Sequence, residues 1–381
     1  MAPLSMTPKQ SVICPIQLVL LSMAFVFTSL PSMVVAGPPP SSTFYNSRKP
    51  IKLKNSGGFA VGGTIIVNPE NTTQTLSCDH GYMEYFMPWT PRKTSLVMWQ
   101  SSSTQVWQNR WDGGPGYKDM FLQHDYPVYL WDGPRVGRAN WPCVPTNYTP
   151  VYRDQENFDG WLFGPQWKDW WPDTQFPSAN DEAWNQATRA RYDEVDSWDN
   201  MQLQADAAAV GIDSGKLGDS IVLLANSAGG YRAQVAVTKL TSGNAAGIVT
   251  YESIGYVFPT DVDPKYNITE SLSWGFGPRI VPPKEFQKLA DLEVVQFLWS
   301  SHRDRNSTFV KYSYACAAEI NRYGGNAEVV MLEIDLGIKG ASHIPFADMD
   351  NHVIAGLLEN VLKTNKLDKY KKDWWQRFFS W

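Results

Sequence analysis

The sequence predicts an α/β fold, a mostly parallel sheet of eight strands with helices on both faces. Three observations carry that reading. Strand-like segments recur with helical stretches between them, the alternation a parallel sheet needs because each crossover must return the length of the sheet. Several strands are near-continuous apolar runs, Ile221-Val222-Leu223-Leu224 among them, as strands buried on both faces should be. The chain has 381 residues, 43% of them apolar, which is ample for one large core.

Taken in order, residues 1–36 read as a signal peptide rather than as structure. Lys9 supplies a basic start, an apolar run follows from Val12 to Phe27, and Val34-Val35-Ala36 precedes a Pro-rich stretch opened by Gly37. The alternative is an uncleaved anchor, although Pro15 and Pro31 shorten the helix available to it. Cleavage leaves one domain, 37–381. Four sequons, at Asn71, Asn147, Asn267 and Asn306, fit export as a glycoprotein, the second weakened by Pro150. No other long apolar run exists, so a soluble, secreted protein without stable membrane insertion is expected.

Losing Cys14 with the signal leaves Cys78, Cys143 and Cys316, too few for a disulfide framework; one bridge, Cys78 with Cys143, is expected. There is no C-x-x-C pair and no His-Cys cluster, so neither metal nor cofactor is predicted. Removing Lys9 with the signal turns a net charge of −5 into −6, with no long basic run. That balance argues against a nucleic-acid partner.

The predicted strands are Gly58–Val67, Tyr82–Pro88, Ser95–Trp99, Pro127–Asp132, Ser220–Ala225, Gly247–Tyr251, Glu293–Trp299 and Ala327–Ile334. Between 133 and 180 Trp141, Trp161, Trp167, Trp170 and Trp171 are interleaved with Pro, Asp and Asn. That stretch reads as an insertion over one end of the sheet, either a lid or substrate-binding wall, or an irregular loop packed as a satellite core. Helix is expected over Asn185–Val210, from near Tyr231, and over Asn351–Leu362. The tail Lys363–Trp381 mixes Lys with Trp and Phe, and is expected to dock on the domain.

The strongest chemical signal is Leu224-Ala225-Asn226-Ser227-Ala228-Gly229-Gly230, directly after an apolar strand and before a helical stretch. A serine forced into a sharp strand-to-helix turn needs tiny neighbours two residues before and after it, and Ala225 and Gly229 stand there. The usual pattern has glycine at the first of these, so Ala225 is a mild departure. Ser227 is the candidate nucleophile, and the N–H of Ala228 at the helix start is a candidate oxyanion donor. A serine hydroxyl needs a base. Of five histidines, His343 follows the last strand and precedes the last helix, whereas His352 lies within that helix and His80 and His124 precede the nucleophile. For the orienting acid two residues compete. Glu252 ends Gly247–Tyr251, a buried strand where a carboxylate needs a reason to be present. Asp304 follows Phe297-Leu298-Trp299, flanked by Arg303 and Arg305, which would pair with it at the surface.

These residues, with Trp111-Asp112-Gly113-Gly114-Pro115-Gly116-Tyr117, Asp132-Gly133-Pro134-Arg135-Val136-Gly137-Arg138, Trp171–Pro177 and Gly337-Ile338-x-Gly340-x-x-His343 with Asp348 beyond, resemble a group of secreted esterases in the α/β-hydrolase superfamily. The resemblance covers most of the mature chain. It implies Ser227 as nucleophile, His343 as base and Glu252 as acid, and favours Glu252 over Asp304. One departure matters. The group usually carries His-Gly after strand three, where a backbone N–H completes the oxyanion hole, and here Gln100-Ser101-Ser102 stands there, leaving Ser102 or its neighbour as the donor. The expected activity is hydrolysis of small carboxylic esters, apolar or aromatic if the Trp residues line the site. The rival is a non-hydrolytic protein on the same fold, such as an isomerase, cyclase, acyltransferase or binding protein, for which Ala225 and Gln100 speak.

Overall fold

The computed structural model describes Tyr45 and residues 49–99, 102–192, 196–271 and 275–371. The signal segment, Gln100 and the aromatic tail from Trp374 to Trp381 lie outside the described residues.

Eight strands form the main sheet: β1 (Leu53–Val61), β2 (Gly81–Pro88), β3 (Ser95–Trp99), β4 (Val128–Asp132), β5 (Ile221–Asn226), β6 (Ala245–Tyr251), β7 (Val294–Trp299) and β8 (Ala327–Met331). Their spatial order is β1-β2-β4-β3-β5-β6-β7-β8. β2 runs antiparallel to both its neighbours, and from β4 onward every pairing is parallel. Every residue of β3, β4, β5 and β7 is buried, because helices cover both faces. Trp198–Asp213, Ala228–Lys239, Pro283–Ala290 and Thr308–Arg322 enclose one core layer, and Tyr117–Gln123 with Asn351–Thr364 enclose the other.

Three boundaries differ from the sequence reading. The first strand does not continue to Val67. Gly62 and Gly63 both take positive φ, and a Cβ on Gly62 would stand 3.0 Å from Ala207, so the chain turns there and Thr64–Val67 pairs instead with Thr75–Cys78. The last strand stops at Met331, and Leu332–Leu336 coils as a helix. The single helix expected over Asn185–Val210 is two, Asp181–Arg189 and Trp198–Asp213. Each has its own side-chain cap: Asn180 accepts from Glu182 and Ala183 N–H, and Ser197 accepts from Asn200 N–H.

Cys78 and Cys143 form the expected disulfide, while Cys316 is free and buried. In the 133–180 stretch the aromatic rings pack largely on one another. Phe163 meets Phe176 at 4.5 Å, Phe158 meets Trp170 at 4.6 Å, and Trp167 meets Trp184 at 4.9 Å between centroids. Trp141 instead stands exposed. The described part of the tail docks back on the domain, where the Lys93 N–H donates to Lys369 and the Tyr370 hydroxyl to Asp125. Among the described residues no helix is long and apolar enough to cross a membrane.

Candidate active site

Parallel strands aim their carboxyl ends at one edge of the sheet, and the candidate residues emerge there from β5, β6, β7 and the segment after β8. At the end of β5, Ser227 takes φ 54° and ψ −126°, a conformation unfavourable for a side chain with a Cβ. The surroundings enforce it. The Ser227 N–H donates to Tyr251 across the sheet at 3.0 Å, its carbonyl accepts from the Gly230 N–H at 3.0 Å, and the helix Ala228–Lys239 starts at the next residue. The helix thus begins at Ala228, three residues before Tyr231. A Cβ on Gly230 would sit 2.6 Å from Ser253 Oγ and 2.8 Å from its Cβ, so the turn requires glycine there, one residue beyond the position that the motif spacing picks out. Ala225 is fully buried between β3 and β6, its methyl accommodated. As the first residue of the helix, Ala228 has no intrahelical acceptor for its N–H, which leaves a donor beside Ser227 at the positive end of the helix dipole.

Glu252 continues directly from β6, also at positive φ, and its side chain is completely buried. Its Oε2 lies 3.1 Å from His343 Nδ1, and Oε1 accepts the Ser300 N–H at 2.7 Å. An ionised carboxylate can only accept, so Nδ1 carries the proton and Nε2 is left able to accept one. Burial alone would raise the Glu252 carboxyl. The Arg303 charge and the bonds from His343 and Arg303 outweigh burial and hold it down at about 2. Arg303 reaches Glu252 Oε2 with both Nε, at 2.8 Å, and Nη2.

Asp304, the competing acid, is placed elsewhere. It is exposed and caps its own loop by accepting the Asn306 N–H, and Arg303, expected to pair with it at the surface, turns inward to Glu252 instead. The other histidines are likewise separate. His124 pairs with Glu359 at 2.9 Å, and His302 pairs with Asp173 at 2.9 Å while stacking on Trp171. His80 bonds the Gly81 carbonyl, and His352 lies in the last helix.

The loop carrying His343 is anchored on several sides. Asn226 Nδ2 donates both to Tyr251 O at 3.0 Å and to His343 O at 2.9 Å, tying the strand-to-helix turn to the His343 loop. The His343 N–H donates to Trp161 O, which brings the Trp-rich stretch against the His343 loop. The fully buried Asp348 accepts from Ser342 N–H, Ser342 Oγ and Trp111 Nε1. These tethers were legible only as motif positions in the sequence.

Ser102 is buried on the β3 side of the elbow, its carbonyl accepting the Tyr192 N–H. A hollow of about 270 Å³ with a mixed lining is formed by Arg135, Val136, Val144, Pro145, Asn200 and Arg232 among others. The Ser227 hydroxyl has no hydrogen-bond partner among the described residues, so the structure unites Glu252 with His343 but leaves the bond from serine to imidazole unmade. Among the described residues no cluster of three His, Cys, Asp or Glu is placed to hold a metal ion. Asn71, Asn147, Asn267 and Asn306 are all exposed.

No family model matches the chain. It is 25% identical over 326 residues, 72% of this chain and 83% of the relative, to a protein of Fungal sp. (strain ATCC 74256) named as a probable secreted lipase, phiG. Among solved structures it is similar to a bacterial esterase, with a TM-score of 0.66 and 20% identity over 83% of this chain and 98% of that one. At that identity the likeness is one of fold.

Proposed function

We propose, from a chain that has the α/β-hydrolase fold, that it is a serine hydrolase of small carboxylic esters acting through Ser227, His343 and Glu252. The observation that carries the reading is the buried Glu252–His343 pair, whose histidine loop is tied through Asn226 to the enforced strand-to-helix turn that holds Ser227. The relatives named as esterase and lipase support the same class of reaction.

In this reading Ser227 Oγ attacks the ester carbonyl carbon as its proton passes to His343 Nε2. The carbonyl π electrons move onto oxygen, and the N–H groups of Ala228 and Ser102 hold the anion. The tetrahedral adduct collapses, its C–O bond to the alcohol breaks, and Nε2 returns the proton to the leaving oxygen. Water, deprotonated by the same nitrogen, then releases the acid from the acyl-enzyme. Glu252 accepts from Nδ1 throughout and stabilises the imidazolium. In this reading the bond from Oγ to Nε2 forms on substrate binding, as such contacts are often long in the free enzyme and tighten in the complex.

Export through removal of residues 1–36, with sugars on Asn71, Asn147, Asn267 and Asn306, is supported by the exposure of all four asparagines, by the disulfide and by the relative named as secreted. The test is mass spectrometry of the secreted protein after a fluorophosphonate probe. Label on Ser227, absent from Ser227→Ala, together with an N-terminus near Gly37, is the expected result. A folded protein that takes no label between pH 5 and 9 would leave the fold serving a non-hydrolytic role.

A further inference from the structure

A carboxylate taken wholly out of water resists ionisation, yet one that orients a catalytic imidazole must stay charged. Glu252 has no solvent contact, and the groups facing it are few: Arg303 from the loop after β7, His343 from the loop after β8, and the buried Tyr256 hydroxyl from its own segment, itself donating to Ser253 O. We propose that Arg303 is a positioning residue of the active site, whose guanidinium fixes the charge and orientation of the Glu252 carboxylate and thereby sets how far into acid the enzyme works. The proposal rests on the ester-hydrolase reading above.

The geometry supports it in three ways. Arg303 delivers two N–H groups to the same oxygen, Oε2, that receives His343 Nδ1, while the Ser300 N–H holds Oε1, so neither oxygen is free to rotate away. Arg303 is itself partly buried and lies over the Trp299 ring at 5.8 Å, which limits its alternatives. Its loop is also pinned from outside, because the adjacent His302 stacks on Trp171 and bonds Asp173. A surface ion pair would share none of these features.

The arrangement has a cost. A cation beside the carboxylate weakens the pull of Glu252 on the imidazolium, so the site gives up some basicity at His343 in exchange for an acid that stays ionised. The direction of the pH effect follows. With Arg303 present the carboxyl titrates at about 2, below its ordinary 4.5, and burial is outweighed. Without Arg303 the strongest influence opposing burial is gone, the carboxyl moves upward from about 2, and the imidazolium of His343 is held more tightly, so activity is lost at higher pH as acid is added.

The experiment compares the pH dependence of fluorophosphonate labelling, and of kcat/KM on a 4-nitrophenyl ester, in wild type, Arg303→Gln and Arg303→Lys. We expect Arg303→Gln to move the acid limb upward by at least about one pH unit and to lower the plateau about tenfold, as for loss of one charged hydrogen bond, with Arg303→Lys recovering the limb more than the plateau. A uniform loss at all pH values, or no change, overturns the proposal. Carbon-13 titration of labelled glutamate carboxyls, with the Glu252 signal identified by Glu252→Gln, reads the same shift without any activity. If wild type takes no label, the hydrolase reading fails, and the proposal then stands or falls on whether Arg303→Gln raises the Glu252 midpoint.

Discussion

At the scale of single residues, two side chains hold positions that look improbable in isolation. Ser227 and Glu252 both sit at positive φ, and Glu252 is a fully buried charge. Each is stable only because neighbours over-determine it, which is the signature of strain kept for function. Gly230 shows how tight the margin is. Adding a methyl would drive it within 2.8 Å of Ser253 Cβ, an atom fixed to the backbone and unable to swing aside. Gly230→Ala is therefore expected to cost about 1–3 kcal/mol of stability through overpacking and to reduce labelling of Ser227 by displacing the turn. Chemical unfolding together with the labelling rate checks it, and an unperturbed variant would mean the elbow has slack. Arg303 makes the complementary point. Its sequence neighbours suggest a pair with Asp304, and only the direction of the side chain reveals Glu252 as its partner.

At the scale of elements, the segment after β8 is the part that must be held in place, because His343 has no strand or helix of its own. Asp348 performs that task from within the same segment. It is wholly buried, and burial pushes its carboxyl well above the usual range, opposed by the bonds from Ser342 and Trp111. Asp348→Ala would leave the Ser342 N–H and the Trp111 Nε1–H buried without partners. We expect a loss of about 2–6 kcal/mol, on the order of 1–3 for each orphaned donor, and a fall in kcat larger than any rise in KM, since the proposed base rather than the binding surface is displaced. Denaturant unfolding and steady-state kinetics test this, and a variant of wild-type stability would show that the segment is held by other means. The Trp-rich stretch matters at the same scale. Most of its rings pack on one another, and it meets the His343 loop through a backbone bond from the His343 N–H to Trp161 O.

At the scale of the whole molecule, the sheet joins β5, β6 and β7 side by side although other chain segments separate them, and this adjacency assembles the proposed site. The disulfide acts over a similar span. Cys78 and Cys143 are 65 residues apart, and they tie the hairpin that ends at Cys78 to the segment after β4. Asp79, next to the bridge, pairs with Arg135 through both carboxylate oxygens, so that corner is clamped twice. Constraining a loop of that length in the unfolded chain is worth about 4 kcal/mol in the chain-entropy account. The double variant Cys78→Ser/Cys143→Ser should unfold at a correspondingly lower guanidinium concentration, with Ser227 labelling retained at low denaturant because the bridge lies outside the Glu252–His343 pair. Equal midpoints would show that the Asp79–Arg135 clamp suffices alone.

The sequence by itself determined the eight strands and their alternation with helices, because apolar runs bounded by turn residues state burial directly. It also determined the elbow at Ser227, because steric demands on a tight turn are local and readable from Ala225 to Gly230. Tertiary structure decided what depends on direction rather than composition: which carboxylate faces His343, where Arg303 points, and how Asn226 and Asp348 hold the loop. A one-dimensional pattern records which residues are near a strand end, whereas the choice between Glu252 and Asp304 is made by the twist of neighbouring strands and the path of the loop after β7, which bring groups together from distant parts of the chain.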